Sequence, residues 1–200
     1  MNGFNPKQKK YYLSDTTKLY DGHMLYRIVA TVDIPSIGVK KGDFGGWIEK
    51  EDNLSHQNNC WIFHNAMAYG NARVQINATL RNEACICDYA VITDNATLSD
   101  HAKACGNSYI TGNSRGFESA VFQDNAKIYG EASISGTSQI SGSSIIDGRV
   151  RLSGPTTVLG KTVLRGDIEA FGRTYFNCNI ENIPAAHPNA QYIVPDDIEL

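Results

Sequence analysis

Three thiols and two imidazoles are the side chains whose spacing in this chain could do chemistry. Cys85 and Cys87 flank a single residue, and Cys105 follows Cys87 by 18 positions. If the chain winds with that period, the three sulfurs share one face about 5 Å apart, which permits a soft-metal or redox site. The plainer reading makes them surface or interface thiols on a tolerant repeat. Five cysteines, an odd number without a C-x-x-C pair, suit a reducing compartment better than a disulfide framework. The histidines are His23, His56, His64, His101 and His187. A zinc site built on them needs three convergent imidazoles, and His64 and His101 lie 37 apart with no third in register. No metal and no cofactor is expected.

The elements that would position these groups follow from a rhythm. From Gln57 to Asn182 the chain divides into twenty-one consecutive six-residue units without insertion. Tyr69-Gly70-Asn71-Ala72-Arg73-Val74 is one of them. The sixth place is apolar in nineteen units, the fourth is always Ala, Ser, Thr, Cys, Val or Ile, the second is Gly in eleven and the third Asn in nine. Strand side chains alternate with period 2, so the fourth and sixth places face inward and the fifth outward. Gly and Asn tolerate positive φ and turn the chain at the second and third places. Strands this short cannot fold back as hairpins. They wind instead, three sides to an 18-residue coil, about seven coils in all, as a triangular parallel β-helix roughly 30 Å long.

The aliphatic residue returning every six positions, with a small residue two before it, resembles the hexapeptide-repeat left-handed parallel β-helix family. Upstream, Gly45-Gly46-Trp47-Ile48-Glu49 followed by Asn53-Leu54-Ser55 and Asn59-Cys60-Trp61 is similar to YdcK-like hexapeptide proteins of bacteria and their prophages. The first resemblance implies the left hand of the coil. It also implies an acyltransferase as one possible activity, in which a histidine acts as general base. In such relatives loops thrown out of the coil build the pocket with neighbouring subunits. No such loop interrupts residues 57–182 here, and His64 and His101 stand at corners among Asn and Asp, where a solvated turn residue is the plainer role.

The fold expected is therefore all-β. An N-terminal β-cap (1–56), with a hairpin turn at Asp21-Gly22 and with Trp47 closing the first coil, precedes the helix (57–182), and an irregular capping tail (183–200) follows it. Corner and fourth-place side chains exchange size along the helix, and they are expected to share one volume. Gly116 leaves a gap in one inward column.

A net charge of −3 with scattered Lys and Arg makes nucleic acid an unexpected partner. No apolar run is long enough for a membrane span, and Met1–Lys10 lacks the apolar core of a secretory signal, so a cytoplasmic location is expected. Among outward residues, Val91, Tyr109, Ile145 and Val163 fall on one side as an apolar stripe, and Trp47 and Trp61 cluster near the joint. These six are the candidate interface, for a protein partner or for a dimer or trimer of the chain. The function expected is that of a non-catalytic scaffold or protein-binding solenoid of phage or prophage type, including an inhibitor of a host defence complex. The alternatives are an acyltransferase with a site between subunits and a structural particle component.

Overall fold

The computed structural model describes residues 9–177. The expected tail, 183–200, lies outside them. Strands β1 (Tyr11–Tyr20) and β2 (His23–Ala30) form a hairpin, and β3 (Phe44–Ile48) pairs antiparallel with β2 on one edge and parallel with Met67–Ala68 on the other. From there the chain is a parallel β-solenoid of about seven turns. Each coil contributes three short strands, and each strand stacks on the one 18 residues later. The parallel stack reaches further toward the N-terminus than the hexads do, because Ile48 already pairs with Ala68 and Leu54 bridges Val74.

Three walls result. The hairpin wall runs from β3 through Cys85–Ile86, Lys103–Ala104 and Val121–Phe122. The threonine wall carries Trp61–Ile62, Thr79–Leu80 and Thr97–Leu98, and the tyrosine wall Arg73–Val74, Val91–Ile92 and Tyr109–Ile110. Late in the chain two walls merge, because Ile145–Ser153 and Val163–Phe171 run as nine-residue strands around a corner relaxed at Gly148 and Gly166 (φ 98° and 97°). Arg149–Asp167, Arg151–Glu169 and Asp147–Arg165 ion pairs lace these two strands together on the outside.

The inward columns are those the hexads mark. Val74, Ile92, Ile110, Ile128, Ile146 and Leu164 form a buried ladder, as do Ile48, Ile86, Phe122, Ile140 and Phe176 with Ala68 and Ala104 between them. The gap at Gly116 is filled by its neighbours. A Cβ there would lie 2.6 Å from both Leu98 Cδ2 and Phe122 Cε2.

Every second place from Asn58 to Gly172 has positive φ, which is why Asn, Asp, His and Gly dominate it. Its carboxylates have a further task. A corner N–H has no partner in the strand ladder, and the corner side chain of the preceding coil accepts it. Asp88 Oδ2 takes Gly106 N at 2.9 Å, Asp100 takes Glu118 N at 3.1 Å, Glu118 takes Gly136 N at 2.6 Å and Asp124 takes Gly142 N at 2.9 Å. These side chains lie outside, whereas the fourth-place residues are buried. The two positions therefore do not share one volume, contrary to the size exchange expected above. Where the corner becomes Gly the acceptor is gone, and the fourth-place hydroxyls of Ser138, Ser144 and Thr162 instead donate to the carbonyl three residues back.

Ile76 breaks this rule. It is β-branched at φ 58°, and it offers no acceptor to the next corner. Ile76→Asn is expected to stabilise the protein by about 1 kcal/mol, read as a higher urea midpoint at constant slope.

Candidate functional site

The hairpin departs from the coil, and it leans over the outer surface of its wall. Leu25 from β2 packs with Trp47, Met67, Tyr69, Cys85 and Cys87, all outward-facing residues of that wall, as a second apolar layer. Polar contacts fix the tip. Tyr69 Oη donates to Asp21 Oδ2 at 3.2 Å and its ring meets Tyr20 edge-on at 5.8 Å. His23 Nδ1 lies 2.9 Å from Glu49 Oε1, and Glu49 Oε2 accepts Gly70 N at 2.7 Å. Lys18 Nζ sits 4.5 Å above the Trp47 ring.

This arrangement corrects two expectations. Cys85 and Cys87 are not surface thiols but 6% and 5% exposed beneath the hairpin, and only Cys105 is half-open. Trp47 does not close the first coil; Ile48 occupies that inward place, while Trp47 lies on the outer wall, 8% exposed under Lys18 and Arg27. Trp61, edge-on to Tyr11 at 6.2 Å, is 1% exposed. Both tryptophans are thus packed inside the fold and present no free surface.

The thiols do not behave alike. Burial pushes Cys85 up to about 11. Cys105 is lowered to about 7, chiefly by a hydrogen bond from Cys87 and then by the positive charge of Lys103. Cys87 is pushed up, by its contact with Cys105 and by burial. Sequence spacing missed Asp88. Its carboxylate oxygen comes within 3.8 Å of Cys87 Sγ, so Cys87, Asp88 and Cys105 each bring one ligand atom to within 4.8 Å of the others. The available signal was adjacency: Asp88 follows Cys87 at a corner, and Cys105 stands 18 later.

Beside this cluster the hairpin and the wall enclose an open groove of about 570 Å³, lined by Lys18, Tyr20, Met67, Glu83, His101 and Lys103 among others. His101 Nδ1 is 3.3 Å from Glu83 Oε2, yet its side chain is 68% exposed. His64 Nδ1 accepts Asn82 N at 3.1 Å and so performs the same corner task as the aspartates. The two histidines do not converge on a common partner.

On the tyrosine wall the structure brings Val91, Tyr109, Ile145 and Val163 into one outward ladder, in register through Lys127 and starting at Arg73. All four are partly or largely exposed, Tyr109 by 36%, and no described element covers them. The Tyr109 and Tyr129 rings lie 6.2 Å apart. The chain matches no protein-family model and no curated protein. No helix among the described residues is long and apolar enough to cross a membrane.

Proposed function

We propose that the chain is a non-catalytic solenoid that binds a protein partner along its tyrosine wall, with association of copies through the same surface as its simplest form. The observation that carries this reading is the ladder of Val91, Tyr109, Ile145 and Val163, a straight apolar strip on a rigid wall with a cation at Arg73 and another at Lys127. A wall tied to the next coil by a hydrogen bond at almost every step loses little freedom on binding, so modest contacts give useful affinity. The reading extends to a cytoplasmic setting, and to a phage or prophage role as inhibitor or particle component.

Its test is a double substitution. Tyr109→Arg with Ile145→Arg changes only outward side chains, so the melting temperature is expected to hold, while association measured by sedimentation velocity or by partner capture weakens by at least about 30-fold. Undiminished association in the folded variant would remove the tyrosine wall from the function.

A second reading rests on the groove. His101 beside Glu83, with Lys18 and Lys103 on the same rim, offers a base and two cations to an acyl-thioester donor of the CoA type. Turnover of acyl-CoA that disappears in His101→Ala would establish it. The 68% exposure of the His101 side chain, which leaves it open to water, favours the first reading.

A further inference from the structure

We propose that Cys87, Cys105 and Asp88 form a binding site for one thiophilic divalent cation of the zinc type, built where the hairpin meets its wall. The inference is independent of the tyrosine wall. It rests first on geometry. Cys87 and Cys105 are held in register by the ladder, with Cys87 N donating to Ala104 O and Cys105 N to Phe122 O, 3.0 and 2.9 Å respectively. A tetrahedral ion about 2.3 Å from each sulfur keeps the sulfurs about 3.8 Å apart. The three donor atoms already lie within 4.8 Å of one another, so closure onto an ion needs about 1 Å of movement at most.

Asp88 is positioned before any ion arrives. Its Oδ2 accepts Gly106 N at 2.9 Å, which fixes the carboxylate at the corner directly after Cys87. Such outer contacts orient a ligand and raise its affinity. Leu25, Trp47, Met67 and Tyr69 form an apolar shell on the buried side, where they shield the sulfurs from water. Cys105 and Asp88 remain open on the other side, leaving an entry path and a fourth position for water.

Charge is consistent with this donor set. Two thiolates and a carboxylate carry three negative charges, and a divalent ion leaves one. Lys103, paired across the ladder with Cys85, brings its positive charge to the thiols and can balance that remainder. The ion is held by thiolates, so binding releases acid as it proceeds.

Cobalt tests the site directly. Reduced full-length protein titrated with Co²⁺ under argon is expected to develop one equivalent of sulfur-to-cobalt charge-transfer absorption, bleached by one equivalent of Zn²⁺. Cys105→Ser and Cys87→Ser abolish the band, and Cys85→Ser, whose sulfur lies outside the donor group, retains it. Asp88→Asn, which can still accept the Gly106 N–H, weakens Zn²⁺ binding by about 10–100-fold. Melting temperatures report folding of each variant, and the half-exposed Cys105→Ser decides the matter if Cys87→Ser is unstable. Absence of the band from the wild type, or its persistence in Cys105→Ser, overturns the proposal. A wild type that takes no ion but forms a Cys87–Cys105 disulfide in air overturns it too, and assigns the pair to redox chemistry.

Discussion

Gly136→Ala is expected to cost about 2–5 kcal/mol, more than any other single methyl placed at an outer corner of the chain. Two penalties add. Gly136 has φ 70°, where a Cβ alone costs about 1–2 kcal/mol. That Cβ would also stand 2.4 Å from Gly154 N and 2.7 Å from Gly154 Cα, and these are backbone atoms of the next coil that cannot rotate away. Gly70→Ala supplies the control. Its φ is 65°, but the nearest atom, Asp88 N, is 3.2 Å away, so a shift of a few tenths of an ångström relieves the contact and the conformational cost of about 1–2 kcal/mol dominates. Urea unfolding of the two variants separates the terms. Equal losses would show that close stacking of the late glycine corners plays no part in stability.

The second large effect concerns the open bottom of the stack. Along the coils each N–H points to a carbonyl of the following coil, so the first coil's carbonyls point away from the stack; β2 covers those of β3, and the carbonyls between Glu51 and Cys60 need other donors. Lys10 and Tyr11, the residue before β1 and the first residue of it, supply donors. Tyr11 Oη donates its one proton to Leu54 O at 2.6 Å, with Glu51 O 3.0 Å away. The fully buried Lys10 donates through Nζ to Cys60 O at 2.7 Å and to Asn58 O at 3.4 Å. Burial lowers the Lys10 pKa, and the same effect raises that of Cys60, whose sulfur is 3.2 Å away. Tyr11→Phe and Lys10→Met keep the shape and remove the donors to Leu54 O and Cys60 O, so each is expected to cost about 1–3 kcal/mol. Together they uncover an edge, and concentration-dependent end-to-end association should follow. Retention of wild-type unfolding midpoints and of a single sedimenting species by the double variant would contradict this role for the cap.

Much of this was legible in the residues. The sixth-place ladder and the Gly, Asn and Asp corners have a local cause, side-chain direction and positive φ, and a six-residue window contains it. The tyrosine wall was legible too, because an 18-residue column needs only the period. What escaped depends on how the first strands lie against the coil. Trp47 looked like a plug because it adjoins the first hexad, but its pairing with Met67 sets it outward and the hairpin then buries it. Cys85 and Cys87 looked exposed for the same reason, as no repeat pattern announces a strand pair folding over a wall. Lys10 gave no signal at all. A lysine is ordinarily solvated, and its burial follows only from the unpaired carbonyls above it.

That pattern bears on function. The coil throws out no loop between Gln57 and Asn177, and its polar corner groups are engaged in joining one coil to the next. The walls of the coil present their outer surface to another molecule. A photo-crosslinking side chain placed at Tyr109 on the tyrosine wall, compared with one at the exposed Gln139 on the hairpin wall, tests this most directly. Irradiation of the folded protein in its native cells should give discrete protein adducts from position 109 and none from position 139. Equal adducts from both positions, or adducts from 139 alone, would contradict binding through the tyrosine wall.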